Sequence, residues 1–484
     1  MDYIYKSKPY EHQHTAFLLS REKVNFALLM EQGTGKSKVI VDTGVYLYGL
    51  GRINAILLVA PNGVHKKWER EDLPFSIPEY VDYQCAVWHA GDKKSKADCE
   101  ALFNPGDKLR ILCVNVESFS YPKGVDLVKR FLQATDCLMV VDESSRIKNP
   151  SAARTKTLTK LGKEAKYKRI LSGTPVVNSP LDLYAQFNFL DDDIFGQSFY
   201  SFKNEYAEMI DPNSRLAMAI RNKSGGRTPQ IIAKDENGNV QYKNLEKLRD
   251  IVAGHSFRVT KDECLDLPAK IYEKRYFQLP TLHKDLYDQL ATKARLEFGT
   301  STLTVLHKLT LMLRLQQITS GYFPNDDGVT ITMYPNPKDN PRIACLLDTI
   351  EDVEGSIIIW CRFRHEIESL HKLIGEESCT YYGGDTKDQR ESALANFTNG
   401  TKRVLIGNAQ SGGIGLNLTK ATTVVYYSND FSLENRLQSE DRAHRIGQTD
   451  HVLYIDLEAE DTVDKSITTA LRNKKNVADY MTEI

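Results

Sequence analysis

Short, wholly apolar runs alternate along the chain with longer stretches in which apolar residues recur at helical spacing. Runs with no polar alternation suit strands buried on both faces, as in a parallel sheet, and the intervening segments suit the helices that cover it. In the first half the strand candidates are residues 26–30 (FALLM), 53–60 (INAILLVA), 110–116 (RILCVNV), 137–143 (CLMVVDE) and 170–175 (ILSGTP). Residues 356–361 (SIIIWC), 403–408 (RVLIGN) and 422–428 (TTVVYYS) repeat the pattern in the second half. Helices are expected over 9–20, entered through Pro9, after residue 37, over 281–320, over 365–374 and near the C-terminus from Asp461. The fold class that follows is α/β, with two parallel-sheet lobes and helical insertions between them.

Between the lobes the pattern changes. Residues 191–210 carry aromatic residues at helical spacing, Asn237-Gly238 between two β-prone runs signals a hairpin over 231–242, and 323–341 is a loop rich in Pro, Asn and Asp. The expected domains are 1–190, an insertion and linker at 191–340, a second lobe at 341–460, and a bracing helix at 461–484.

Composition changes this picture little. At 484 residues, 41% hydrophobic and 26% charged, the chain describes two or three ordinary globular domains. A net charge of -1 excludes a uniformly basic nucleic-acid binder and leaves room for a local basic channel. The eight cysteines form no C-x-x-C pair, so reduced core thiols are expected. No apolar run approaches the roughly 20 residues of a membrane span. The polar N-terminus, MDYIYKSKPY, is neither a signal nor a transit peptide, and a cytoplasmic location is expected.

The chemistry begins where the first strand ends. Gly33, Thr34, Gly35, Lys36 and Ser37 follow the apolar run and precede a helix, in the order strand, glycine loop, helix. Glycines let the backbone N–H groups turn inward around a phosphate, and the helix N-terminus adds partial positive charge there. Lys36 offers a point charge to the β- and γ-phosphates of ATP, and Ser37 a hydroxyl to Mg²⁺. The 137–143 strand delivers Asp142 and Glu143 at its carboxyl end; Asp142 suits the metal shell and Glu143 has the reach to act on an attacking water. Gln13, about twenty residues ahead of Lys36, has an amide that suits an adenine edge. Ser172, Gly173 and Thr174 form a tight turn able to sense the γ-phosphate.

Other candidates concern nucleic acid. The strand over 53–60 opens into a polar loop with Lys66, Lys67 and Trp68, where Trp68 is either a core residue or a contact at the sheet edge. Ser118 follows the next strand. Arg146, Lys148, Arg154, Lys156, Lys160, Lys163, Lys166, Lys168 and Arg169 form a basic run, a solvated face or in part a phosphate contact. In the second half a glycine turn contains Gly412, Gly413 and Asn417, and Gly384 lies in an earlier turn. Gln438, Arg442 and Arg445 stand at i, i+4 and i+7, which on a helix would set two guanidiniums on one face for a polyphosphate.

GTGKS, VVDESSRIKN and LSGTPVVNSPLDLYAQ, in this order, resemble motifs I, II and III of the superfamily II helicases, and the residues after the acids and after SGTP resemble the Swi/Snf-like DNA translocases. AQSGGIGLNL and QSEDRAHRIGQ are similar to that family's motifs V and VI, and LMLRLQQITSG to its helix carrying Arg314. The resemblance implies two RecA-like lobes and ATP hydrolysis with Mg²⁺. It implies that Gly412, Gly413 and Gly415, with Asn417, meet DNA and the ATP cleft, and it implies DNA contact at Gly384, ATP contact at Gln438, and arginine fingers at Arg442 and Arg445. It further implies a translocase on duplex or branched DNA with sequence-tolerant contacts, RNA being a weaker candidate partner and a monomer being expected. Two departures stand out: Ser144-Ser145 follow the acids where Ala-His is common in the wider superfamily, and EQGTGKS replaces the usual DEMGLGKT. The resemblance suggests a minimal bacterial or phage enzyme of repair, recombination or replication. Two other readings stay open: a strand-separating helicase using the 231–242 hairpin, and a binding subunit switched by ATP without productive turnover.

Overall fold

Strands without polar alternation must be covered on both faces, and the computed structural model covers them with helices on each side of two parallel sheets. It describes residues 3–62, 64–104, 106–214, 217–218, 221, 231–236, 240–299, 305–324, 329–410 and 416–482. The chain divides into two compact units, Met1–Cys264 with Asn476–Ile484, and Leu265–Lys475.

The first unit is built on β1 (Asn25–Met30), β2 (Ala55–Ala60), β3 (Tyr83–Val87), β4 (Leu109–Asn115), β5 (Cys137–Asp142), β6 (Tyr167–Leu171) and β7 (Ser256–Val259). They form one seven-stranded sheet in the order β3-β4-β2-β5-β6-β1-β7, every pair parallel. Because all strands run the same way, the segments after β1, β2, β4, β5 and β6 emerge at one edge, where open parallel sheets bind ligands. Residues of β1, β2, β4 and β5 pack with Val39, Ile40 and Val45 of the helix Lys36–Gly49 and with Phe17 of the helix Glu11–Ser20 in a continuous core.

The second unit holds β8 (Lys270–Phe277), the small hairpin β9 (Tyr322–Pro324) and β10 (Thr330–Thr332), then β11 (Ser356–Trp360), β12 (Ser378–Tyr381), β13 (Val404–Gly407), β14 (Ala421–Tyr426) and β15 (Val452–Ala459). Its main sheet runs β12-β13-β11-β14-β15-β8, again wholly parallel. Trp360, Phe397, Leu405, Val424, Tyr426 and Tyr454 anchor its core. The α/β class and the two parallel-sheet lobes are therefore as the hydrophobic pattern implies.

The stretch 191–340 contains more than insertions and a loop. β7 pairs with β1 in the first sheet, β8 pairs with β15 in the second, and the 323–341 segment includes the β9–β10 hairpin. β8 reads KIYEKRYF, an edge strand whose Lys270, Glu273, Lys274 and Arg275 are half-buried, and these charges conceal it from an apolar-run search. The Asn237-Gly238 turn lies outside the described residues; next to it, Lys234 bridges antiparallel to Val240. All eight cysteines are free thiols. Among the described residues no helix is long and apolar enough to cross a membrane.

Candidate active site

β1 ends at Met30 and the helix Lys36–Gly49 starts six residues later, with Gly35 as its N-cap. Gly33 (φ 87°) and Gly35 (φ 91°) both occupy the left-handed region, which a side chain would oppose. Gly35 is constrained a second time, because a Cβ there would lie 2.2 Å from Gln13 Nε2. Gln13 is buried against the loop, donating to the Thr34 carbonyl at 3.1 Å while its Oε1 accepts from the Tyr10 N–H at 3.1 Å. The Thr34 hydroxyl donates to the Glu31 carbonyl at 2.8 Å and closes the turn. The buried Lys36 ammonium donates to the Met30 carbonyl at 2.8 Å and to that of Glu31 at 3.2 Å. Gln13, Thr34, Lys36 and Ser37 are thus brought together around one loop.

The helix bearing Gln13 is tied to the sheet by Arg169, which sequence reasoning placed in a basic run. Arg169 is fully buried, and its guanidinium donates to the carbonyls of Ser20, Lys23, Val24 and Lys168 at 2.6–3.0 Å. Burial lowers its pKa to about 9. It faces no phosphate; it closes the end of the first helix onto β1 and β6.

Asp142 ends β5, and its Oδ2 accepts a hydrogen bond from the Trp68 indole at 3.1 Å. Trp68 is fully buried, which corrects its reading as a nucleic-acid contact: its ring is core and its N–H serves a carboxylate. The Asp142 Oδ1 accepts from the Glu143 N–H at 3.0 Å. Burial raises the Asp142 carboxyl above its usual range, against the opposing charge of Lys36. A second carboxylate, Asp72, was not anticipated. Burial pushes it up to about 6, opposed by Lys67, reinforced by Asp142, and opposed again by the Ser37 hydroxyl beside it. Ser37, Asp142 and Asp72 offer hard oxygen donors, two of them carboxylates that burial disfavours in the charged form. A divalent cation of the Mg²⁺ type fits that set.

Ser172, Gly173 and Thr174 follow β6, the strand between β1 and β5. A Cβ on Gly173 would stand 2.9 Å from the backbone nitrogen of Gln32, so this turn lies directly on the glycine loop. The Thr174 N–H donates to the Ser172 hydroxyl at 3.1 Å. Glu143 holds a left-handed backbone (φ 50°, ψ 59°), uncommon for a residue with a side chain and characteristic of functional turns.

The remaining first-unit candidates divide. Lys66 and Lys67 are half-buried after β2, and Lys67 Nζ sits 4.0 Å from both Glu71 and Asp72, toward the carboxylates. Arg146 and Lys148 are half-buried after β5 at the same edge. Ser118 is buried, its hydroxyl donating to Asn115 Oδ1 at 2.7 Å, which corrects its reading as a surface contact.

In the second unit, Gly384 and Asn417 are exposed, and Gly412, Gly413 and Gly415 lie outside the described residues. Gln438 is on the helix Leu433–Glu440 and Arg442 and Arg445 are not: the helix ends at Glu440, and residues 441–447 form turns. The single-face helical arrangement is corrected accordingly. The turn is pinned by Gln448, whose buried amide donates to the carbonyls of Ala443, Thr419 and Ala421, each at 3.1 Å. It holds the turn against the strand end, after the bonds Arg442 N–H to Ser439 O at 3.4 Å and Ala443 N–H to Glu440 O at 3.2 Å have already tightened the chain out of the helix. Arg442 is buried, and Arg445 donates to the Leu416 carbonyl at 3.1 Å.

Residues 10–321 match the SNF2-related domain, and residues 341–447 the helicase conserved C-terminal domain. The chain belongs to the SNF2-related family. Its curated SNF2-type relatives include the chromodomain-helicase-DNA-binding protein 1-like of Danio rerio, 22% identical over 94% of this chain and 41% of its own length. The putative ATP-dependent helicase/translocase YwqA of Bacillus subtilis is 24% identical, over 98% of this chain and 48% of its own. The chain therefore spans less than half the length of these two relatives. A solved structure, the Sulfolobus solfataricus SWI2/SNF2 ATPase core in complex with dsDNA, aligns over 100% of this chain and 97% of that one at 22% identity, with a TM-score of 0.42.

Within this SNF2-type site, sequence reasoning missed Asp72, Gln186 and the structural use of Arg169. Asp72 lies in WERED, whose alternating charges read as a solvated face. Gln186 lies between apolar residues of a mostly apolar helix whose other amide, Asn188, is only half-buried, and an amide in such a setting is the signal that could have marked it.

Proposed function

We propose that the chain hydrolyses ATP, is stimulated by nucleic acid, and converts hydrolysis into movement along, or remodelling of, duplex or branched DNA. The observation that carries the reading is the convergence of three segments on neighbouring strands: the glycine loop after β1, the SGTP turn after β6 and the Asp142–Glu143 pair after β5. A glycine loop with a central ammonium, two half-buried carboxylates near a serine hydroxyl, and a further acid at the end of β5 are the parts phosphoryl transfer to water requires.

In this reading the loop amides and Lys36 bind the β- and γ-phosphates, Gln13 contacts the nucleotide, and Gln438 is a proposed ATP contact. Ser37 and Asp142, with Asp72 beside them, hold Mg²⁺, which when bound neutralises developing phosphate charge. Glu143 orients and deprotonates the attacking water. Arg442 and Arg445 are the charge-stabilising arginines. Lys66, Lys67, Arg146, Lys148, Gly384, Gly412, Gly413 and Asn417 are the proposed nucleic-acid contacts; the basic ones would act mainly on phosphates, making binding sequence-tolerant and salt-sensitive. A role in repair, recombination or replication is the finer proposal, supported by the resemblance.

The test is the steady-state ATPase rate without nucleic acid and with single-stranded DNA, linear duplex, branched duplex and RNA, at two salt concentrations. Glu143→Gln is the control. Stimulation by duplex or branched DNA, weakened by salt and lost in the control, supports the proposal. Stimulation chiefly by single strands or RNA replaces it with a strand-separating helicase, and absence of turnover on all of them replaces it with an ATP-switched binding subunit.

A further inference from the structure

Behind the catalytic edge lies a fully buried polar side chain in a helix that is otherwise core. Gln186, on the helix Leu183–Leu190, has no solvent exposure, and neither has Ser144. The Ser144 hydroxyl donates to Gln186 Oε1 at 2.7 Å. The Gln186 amide nitrogen donates to the Pro175 carbonyl at 2.7 Å and to the Asp182 carbonyl at 2.8 Å. The amide orientation is thereby fixed, because exchanging its oxygen and nitrogen would set an acceptor against two carbonyl oxygens. The Asp182 carboxylate in turn accepts from the N–H groups of Val177 and Asn178 at 3.0 and 2.7 Å, so residues 175–182 are held at both ends.

These contacts join two segments that the sheet alone leaves separate. On one side, Pro175 ends the SGTP turn, whose Gly173 rests against Gln32 of the glycine loop. On the other, Ser144 directly follows Glu143, whose left-handed backbone persists only where the neighbouring residues constrain it. One continuous path of contacts therefore runs from the glycine loop through Gly173, Pro175, Gln186 and Ser144 to Glu143, buried at its centre from Pro175 to Ser144.

We propose that Gln186 is the positioning residue for Glu143: by tying the Ser144 hydroxyl to the Pro175 carbonyl, it keeps the acid in register with the phosphate loop. The inference rests on the proposed role of Glu143 toward water. Gln186 touches no reacting atom; it acts through Ser144 and the backbone of the acid.

The experiment uses the full chain and compares Gln186→Met, Ser144→Ala, the double variant and Glu143→Gln, measuring kcat and KM for ATP and the thermal midpoint. Each single variant is expected to lower kcat about tenfold or more, the scale for loss of a residue that orients a catalytic group. KM is expected to stay within about twofold, since ground-state contacts to ATP are untouched. The double variant should have a kcat no lower than the poorer single variant, because the two residues act through one bond. It should also melt above Gln186→Met, since no orphaned Ser144 hydroxyl remains, while its kcat stays low. Should kcat recover together with the midpoint, or remain within about twofold of wild type in all three, the inference is overturned. Should Gln186→Met fail to fold, the smaller Ser144→Ala change decides by the same kcat and KM criteria. The two failures are distinguishable. A wild-type chain that does not hydrolyse ATP, or a Glu143→Gln chain as active as wild type, overturns the role of Glu143 and this inference with it; activity lost in Glu143→Gln and kept in Gln186→Met overturns only the inference.

Discussion

Replacing Trp68 by phenylalanine separates a core role from a nucleic-acid role at that position. The indole is fully buried, and its N–H is 3.1 Å from the Asp142 carboxylate, which burial already disfavours in its charged form. Phenylalanine keeps most of the apolar contact and removes the donor. Loss of a hydrogen bond to a charged group costs about 1.5–3 kcal/mol, and the smaller ring leaves a void worth roughly 1 kcal/mol. The sum, about 3 kcal/mol, should lower the thermal midpoint of the first unit by roughly 6–12 °C. Asp142 loses one of the bonds that aim it, so the DNA-independent ATPase rate should fall about tenfold. The assays are differential scanning calorimetry and ATP turnover without nucleic acid, with duplex affinity measured by titration at two salt concentrations. Affinity for DNA should be unchanged. A Trp68→Phe chain with wild-type midpoint and turnover and weakened duplex binding would refute the reasoning and return Trp68 to the nucleic-acid surface.

Gly173→Ala places a methyl group 2.9 Å from the Gln32 nitrogen, a backbone atom that cannot swing aside; a destabilisation of about 1–3 kcal/mol and weaker binding of a fluorescent ATP analogue are expected. Unchanged nucleotide affinity would show that the two turns do not communicate by contact. In the second unit, buried Arg342 pairs with buried Asp464 and also donates to the Tyr427 carbonyl and the Thr319 hydroxyl, so Arg342→Met leaves a buried charge unpaired and should cost about 3–5 kcal/mol, seen as faster hydrogen exchange in β14 and β15. Burial alone would raise the Glu440 carboxyl, and Lys270 and Arg436 bring it down from 4.5 to about 2. A depressed folded pKa stabilises above the unfolded value, so this contribution is complete above pH 4.5 and is lost as pH falls toward 2, about 3 kcal/mol in all. Glu440→Gln should flatten the midpoint-versus-pH curve in that window; an unchanged slope would place the acid sensitivity elsewhere.

What was legible in the sequence was what local chemistry fixes. A glycine loop after an apolar strand, two acids at a strand end and a hydroxyl-glycine turn depend on adjacent residues, and each appears where its spacing puts it. What was not legible depended on distant partners. Trp68, set among Lys, Glu and Arg, reads equally as core or as a contact at the sheet edge until the strand that carries Asp142 is placed beside it. Arg169 reads as one more cation until its four carbonyls, contributed from residues 20–24 and 168, surround it. Arg442 and Arg445 have helical spacing, yet they lie in a turn past the helix end that Gln448 pins to the carbonyls of residues 419 and 421, partners distant in sequence. Edge strands β7 and β8 pair with segments more than 170 residues away, and their mixed polarity carries little trace of it.

The place of β1 in the sheet also sets a timetable. Its two hydrogen-bonded neighbours, β6 and β7, are both encoded later, and β7 ends at Val259. At ribosomal rates of about 5–20 residues per second, the apolar strand that bears the nucleotide loop waits roughly 10–50 s for its second neighbour. Until then its backbone is an unpaired edge beside five fully apolar residues, a segment suited to holdase chaperones and prone to mispairing between nascent chains on one messenger. Cells that translate this chain slowly, or stall on it before residue 259, should lose more of it to aggregation than its finished stability would suggest.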